Sequence, residues 1–261
     1  MNKDDPQITS PMIIAHRGSS KESPENTLSA FQLAISQGAD GIEGDFHLTK
    51  DKQVVCIHDS NTARVANTKL IVKNSTLAEL KKLDVGYWFN STFKNEKIPT
   101  LNEVLEILPS DKKLFLEIKS DPDIVPYLLS ILIDSKINLN QLVIISFNSR
   151  ILRTIKQQKP ELKTLFLVSL KTFNRIKLSN FLVKKLLNKL KDISADGIST
   201  SISNFLNETY IHQFISKGYE YHLWTIDNEK IAEQFIKIGV NSITTNTPKI
   251  IKQIKYFQTK S

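Results

Sequence analysis

The sequence predicts a closed (β/α)8 barrel, and three observations carry that prediction. Eight short apolar, β-branched runs recur along the 261 residues, each bounded by polar or turn residues. Amphipathic stretches with helical spacing lie between consecutive runs, so each strand leads into a helix and the strands run parallel. A chain of this length buries one large core, and eight such units close into one barrel, here over residues 11–256.

The first strand is Met12-Ile13-Ile14-Ala15. Asn26 or Thr27 offers a side-chain oxygen to cap the helix that follows through Phe31, Leu33 and Ala34 to Gln37, and Gly38 ends it. Further strands are read at Gly41 to Phe46, Leu114 to Lys119, Leu142 to Phe147, Thr164 to Val168, Ala195 to Ser199, Glu220 to Ile226 and Asn241 to Thr245. Helices are read at Leu101 to Leu108, Asp123 to Ser135, Ser149 to Gln158, Asn174 to Lys191, Glu208 to Lys217, Asn228 to Lys237 and Pro248 to Tyr256. Residues of about 46–99 break the alternation: a hairpin from His47 through a turn at Lys50-Asp51-Lys52 to Val54 and His58, then a short helix around Leu77 to Leu83. This is an insertion after the second strand, on the face where a barrel carries its chemistry.

The net charge of +8 does not point to nucleic acid, because the lysines are dispersed and no basic cluster is interleaved with aromatics. One cysteine, Cys56, excludes an internal disulfide framework and fits a reducing compartment. Met1 to Pro11 carries Asp4 and Asp5 and no apolar run, so a cytoplasmic protein without a leader or stable membrane insertion is expected. The sequence sets no oligomeric state.

The chemistry concentrates near the N-terminus. His16 directly follows the first strand, with Arg17 and Gly18 behind it. Arginine offers a planar fork to phosphate oxygens and glycine lets backbone approach a ligand, although Arg17 also fits a surface ion pair. Glu43 and Asp45 are two apart on a strand and share a face. Pointing into a barrel they require a cation; if the strand ends at Ile42 they are merely solvated. Glu117, in the otherwise apolar Leu114 to Lys119 strand, offers a third oxygen ligand, with a structural pair to Lys119 as the other reading. Three carboxylates without a second cysteine favour a hard cation, Mg²⁺ or Ca²⁺.

His58, followed by Asp59, supplies a second imidazole. Diester hydrolysis needs one group to deprotonate the nucleophile and another to protonate the leaving alkoxide, and His16 and His58 can divide that work. Trp224 and, less strongly, Phe147 end strands where an aromatic ring packs on the carbon skeleton of a polyol. His47, His212 and His222 read as structural.

Taken in order, Ala15-His16-Arg17-Gly18, Ser23-Pro24-Glu25-Asn26-Thr27, Gly38 through Glu43-Gly44-Asp45, Lys50-Asp51 to His58-Asp59, Ile98-Pro99-Thr100-Leu101, Leu116-Glu117-Ile118-Lys119, Ser146-Phe147 and Leu223-Trp224-Thr225 resemble the glycerophosphodiester phosphodiesterase family from about Met12 to Ile250. The resemblance implies a TIM barrel that hydrolyses glycerophosphodiesters to glycerol 3-phosphate and an alcohol. By motif position it implies Glu43, Asp45 and Glu117 as metal ligands, His16 and His58 as the acid/base pair, and Arg17 and Lys119 as phosphate contacts. Near the last strand the family commonly has Asp-Gly-Ile-Ile-Thr-Asp-x-Pro; this chain has Asn241 to Pro248 with Asn246 at the second aspartate. That departure spares the catalytic set and falls on the pocket floor and fine specificity.

Two other functions compete. A phospholipase D-type enzyme acting on lysophospholipid or sphingolipid would need a membrane-contacting surface, and the basic amphipathic stretch Phe181 to Lys191 is the candidate. Its other reading is an outer barrel helix. A non-catalytic binding barrel predicts loss of a catalytic residue, and none is missing.

Overall fold

The computed structural model describes residues 10–170, 180–203 and 206–258. Residues 1–9 of the polar N-terminal stretch and the 174–179 portion of the helix expected from Asn174 lie outside the described residues. The elements run β1 (Met12–His16), α1 (Leu28–Ser36), β2 (Gly41–Leu48), β3 (Val54–Cys56), α2 (Leu77–Leu80), α3 (Leu101–Glu106), β4 (Lys113–Ile118), α4 (Val125–Asp134), β5 (Leu142–Ser146) and α5 (Ser149–Gln158). They continue with β6 (Lys163–Val168), α6 (Asn180–Asp192), β7 (Gly197–Ser201), α7 (Glu208–Ile215), β8 (Glu220–Trp224), α8 (Glu229–Ile238), β9 (Ser242–Thr245) and α9 (Pro248–Gln258). Strand order is β1-β9-β8-β7-β6-β5-β4-β2-β3, and β1 also pairs with β2, so eight parallel strands close into a TIM barrel. Among the described strands β3 alone is antiparallel, forming the hairpin on β2 that the sequence predicts.

Period-two alternation sorts the side chains. On β4, Leu114, Leu116 and Ile118 join the core beneath the helices, while Phe115 belongs to the layer inside the barrel with Ile14, Val143, Ile145, Leu165 and Leu167. Burying each such leucine or isoleucine contributes about 1.5–3 kcal/mol. Glu43 on β2 and Glu117 on β4 line the barrel cavity, and Glu43, Asp45 and Glu117 are all buried. The strands therefore supply an apolar floor and an ionic mouth.

Two of the strand ends that differ from expectation have local reasons, and so has the choice between the two caps offered for the first helix. β7 starts two residues later than the expected Ala195, because the Ala195 N–H donates to Leu190 O at the end of α6 and Asp196 accepts from the Thr164 N–H. β5 stops at Ser146, leaving Phe147 on the loop at the mouth. Thr27, not Asn26, caps α1 by accepting from the Ala30 N–H at 3.2 Å, while Asn26 adopts φ 58° and turns to the site.

The insertion has its own core of Val55, Ile57, Val65, Val72, Leu80, Val85 and Ile98. Capping boxes at Thr76/Glu79 and Thr100/Glu103 start α2 and α3. The stripe on α6 proves to be a barrel face: Leu182, Val183, Leu186 and Leu190 are buried in the main core, with Lys184 and Lys185 in solvent. Among the described residues no helix is long and apolar enough to cross a membrane.

Candidate active site

The turn after β1 sets the site. Arg17 (φ 57°) and Gly18 (φ 82°) both lie in the left-handed region. A Cβ on Gly18 would sit 2.5 Å from the Ala30 carbonyl carbon, so only glycine lets the turn press against α1. That turn aims the Arg17 N–H at Glu43 Oε2 (3.0 Å) and brings the guanidinium to Glu25 Oε1 (3.0 Å) and Asp45 Oδ2 (3.3 Å).

Glu43, Asp45 and Glu117 bring one oxygen each to within 4.8 Å of one another. Lys119 spans two of them, with Nζ at 3.1 Å from Asp45 Oδ1 and 2.5 Å from Glu117 Oε1, so the pairing offered as an alternative for Glu117 is present within the cluster. Asn26 holds Asp45 from both ends: its Nδ2 donates to Oδ2 (2.9 Å) and its Oδ1 accepts from the Asp45 N–H (3.2 Å). Burial, reinforced by Asp45 and Glu117, pushes the Glu43 carboxyl well above the ordinary range. Glu117 rises to about 7, through burial first and Asp45 second. Burial also opposes ionisation of Asp45, but Lys119, Arg17 and His58 together hold it down at about 2. Two of the three carboxyls are thus poorly compensated, and Glu43 Oε1 is buried without a hydrogen-bond partner. An orphaned carboxylate oxygen in a cluster of three is a donor set that a hard cation would fit.

The two histidines have contrasting partners. His16 Nδ1 lies 2.7 Å from Asn246 Oδ1, and burial, with Arg17 adding to it, lowers the ring to about 4. His58 Nδ1 lies 2.7 Å from Asp59 Oδ1. Asp59 in turn accepts from Arg64 Nε (2.7 Å), and Arg64 forks onto Glu25 at 2.7 and 2.8 Å. Since Glu25 also receives Arg17, an ionic chain runs from His58 to the carboxylate cluster. His47, read as structural, meets His58 O through Nε2 at 3.1 Å and supports that segment. His222, buried in the barrel, lies against Ser242 and Glu220.

A cavity of about 170 Å³ gathers His16, Arg17, Glu43, His58, Glu117, Lys119, Phe147 and Trp224 among its lining. Asp45 lies behind them. Phe147 and Trp224 stand edge to face with centroids 5.8 Å apart, and Phe147 is 47% exposed. Phe115, Ile145 and Leu167 complete an apolar wall on that side. All the residues singled out in the sequence therefore converge on one place. Missed there were Glu25 and Asn26, noted only as part of a motif or as a cap, and Arg64, Asp227 and Asn246. Asn246 was referred to the pocket floor by its place in the sequence; the structure sets it against His16.

Residues 16–250 match the model of the glycerophosphoryl diester phosphodiesterase family. A glycerophosphodiester phosphodiesterase of Caldanaerobacter subterraneus subsp. tengcongensis is 37% identical over 244 residues, spanning 92% of this chain and 96% of its own. One from Bacillus subtilis is 31% identical over 267 residues, covering 94% and 86%. Among solved structures, an Oleispira antarctica phosphodiesterase in complex with the product sn-glycerol-3-phosphate superposes with a TM-score of 0.83 at 27% identity, covering 94% of this chain and 96% of the other. A closed barrel with clustered carboxylates and two histidines at its mouth, matched over this length, establishes that the chain belongs to the glycerophosphoryl diester phosphodiesterase family and is an enzyme, a phosphoric diester hydrolase.

Proposed function

We propose that the enzyme hydrolyses glycerophosphodiesters to glycerol 3-phosphate and an alcohol, with Glu43, Asp45 and Glu117 holding Mg²⁺ or Ca²⁺ and His16 and His58 moving the protons. The observation that carries the reading is the buried carboxylate trio with its orphaned Glu43 Oε1, set beside two imidazoles and two cations in one cavity. When bound, the divalent cation supplies charge neutralisation at the phosphate's non-bridging oxygens. Arg17 and Lys119 meet the remaining phosphate charge. Trp224 and Phe147 receive the glycerol carbons, and the indole Nε1–H, buried without a protein partner, is a donor for one of its hydroxyls.

His16 takes the proton of the attacking hydroxyl and His58 gives one to the leaving alkoxide. The nucleophile in this reading is the glycerol hydroxyl neighbouring the phosphate, whose tethering gives an effective molarity of up to about 10⁵ M or more. Its attack forms a cyclic phosphate, which water opens with the two histidines exchanging roles. The setting proposed is the cytoplasm, in keeping with the single buried thiol of Cys56.

The test is release of glycerol 3-phosphate from a panel of glycerophosphodiesters and lysolipids, with and without chelator, alongside a 2-deoxy analogue. Glycerophosphodiesters should turn over only with divalent cation, and the analogue should bind yet react far more slowly. Full turnover in chelator after elemental analysis confirms metal removal would refute the metal assignment; an unchanged rate for the analogue, with no cyclic phosphate trapped, would refute the route.

A further inference from the structure

The loop after β8 and the end of β9 build a small hydrogen-bonded unit that the reaction above does not yet use. The Asp227 carboxylate accepts from three donors: the Asn246 backbone N–H (2.8 Å), Asn246 Nδ2 (2.7 Å) and Thr245 Oγ1 (3.0 Å). An ionised carboxylate only accepts, so the amide of Asn246 has one possible orientation: Nδ2 toward Asp227 and Oδ1 away from it. Oδ1 then faces Ser20 Oγ at 2.9 Å and His16 Nδ1 at 2.7 Å. An amide oxygen has no proton to give, so the proton in the short contact to His16 must sit on Nδ1.

We propose that Asn246, oriented by Asp227, is a positioning residue that holds His16 as its Nδ1–H tautomer and thereby leaves Nε2 as the nitrogen able to accept a proton. The inference rests on the reading of His16 as the base. Aspartate at position 246 would bring a second carboxylate to the 2.7 Å contact that Nδ2 now makes with Asp227. Asparagine instead satisfies both neighbours, and it fixes the ring without placing a full negative charge on it. His58, by contrast, has the Asp59 carboxylate against its Nδ1 at 2.7 Å. The two histidines thus differ in the group that meets Nδ1, an amide oxygen at His16 and a carboxylate at His58.

The imidazole ¹⁵N spectrum of the full-length protein in Mg²⁺ buffer at about pH 7.5, where a ring lowered to about 4 is neutral, reads the tautomer directly. His16 should show protonated Nδ1 and bare Nε2. Asp227 is exposed and does not touch His16, so Asp227→Ala should retain the fold; freed of its anchor, the amide turns and the Nε2–H form grows in. Asn246→Ala should do the same and lower kcat about tenfold with KM little changed, short of the about 10²–10⁴-fold expected for losing the base outright. A wild-type spectrum with Nε2–H, or an unaltered Nδ1–H signal in both variants, would overturn the proposal. Because the spectrum is taken without substrate, a protein inactive on every diester but showing Nδ1–H at His16 in the wild type and Nε2–H in the variants would support the tautomer lock while sinking the substrate reading.

Discussion

Glu117→Gln offers a test in which stability and activity should move in opposite directions. The Glu117 carboxyl titrates at about 7 in the folded chain against 4.5 for an ordinary glutamate. A raised carboxyl favours folding below the unfolded value and loses that advantage as pH rises through the folded one. Without metal at about pH 8, ionised Glu117 therefore costs the fold up to about 3 kcal/mol, which glutamine removes at nearly the same volume. At about 2–4 °C per kcal/mol for a chain of this size, metal-free Tm should rise by about 6–12 °C at most, and the gain should vanish toward pH 4.5. Glu43→Gln should share the sign, since burial raises that carboxyl too. Asp45→Asn should do the opposite, because Lys119, Arg17 and Asn26 all lean on an ionised Asp45, and removing one partner from such a buried set costs about 3–5 kcal/mol. Mg²⁺ at a hundred times its Kd should add about 2.7 kcal/mol to the wild type and far less to any of the three, closing most of the Tm gap to the two glutamine variants. Calorimetry in chelator and in Mg²⁺, paired with turnover of a glycerophosphodiester, reads both effects. Equal stabilisation by metal with turnover retained in Glu117→Gln, or a metal-free Tm that falls at pH 8, would refute the argument.

His16→Ala and His58→Ala should each lower kcat about 10²–10⁴-fold with the fold retained, and a p-nitrophenyl ester, whose leaving group needs no proton, should rescue His58→Ala alone; rescue of His16→Ala instead would reverse the roles. Gly18→Ala should destabilise by about 2–4 kcal/mol, because the added Cβ would lie 2.5 Å from the Ala30 carbonyl carbon at φ +82°. It should weaken Mg²⁺ binding as well, since the same turn aims the Arg17 N–H at Glu43, and titration calorimetry checks this. Glu220→Gln should lower stability by about 1–2 kcal/mol at neutral pH after allowance for solvent screening. Although burial opposes it, His222 and Lys163 bring Glu220 down from 4.5 to about 2, so its contribution is full above pH 4.5 and is lost as pH falls toward 2. Denaturation at pH 7 and near pH 2.5 should therefore show a gap that narrows on acidification.

The barrel was legible because alternation of apolar runs with helical stretches admits few topologies, and because β4 reads Leu, Phe, Leu around Glu117 at strict period two. Glu43, Asp45 and Glu117 were legible for a related reason: acidic groups on otherwise apolar strands demand a partner. What stayed hidden depends on distant contacts. Asn26 looks like a helix cap until its positive φ directs it to Asp45, and Thr27 beside it takes the capping role. Arg64 lies in a polar loop with no local periodicity, and its forks onto Glu25 and Asp59 arise only once the insertion folds over the mouth. Asn246 and His16 are 230 residues apart, joined by the β1–β9 pairing that closes the barrel.

The cavity's ionic side comes from the β1 turn, β2, the insertion and β4, whereas Phe147, Leu167 and Trp224 come from β5 onward. Apart from Phe115 on β4, the ionic side and the apolar wall are consequently written in different stretches of the chain. Mutations after residue 140 can reshape what the apolar wall accommodates without disturbing any of the three carboxylates, and recombination near that point would exchange selectivity between relatives as a block. The Asp227–Asn246 unit crosses the divide, so an exchanged C-terminal half must bring an acceptor for His16 Nδ1 with it or leave that ring without its partner.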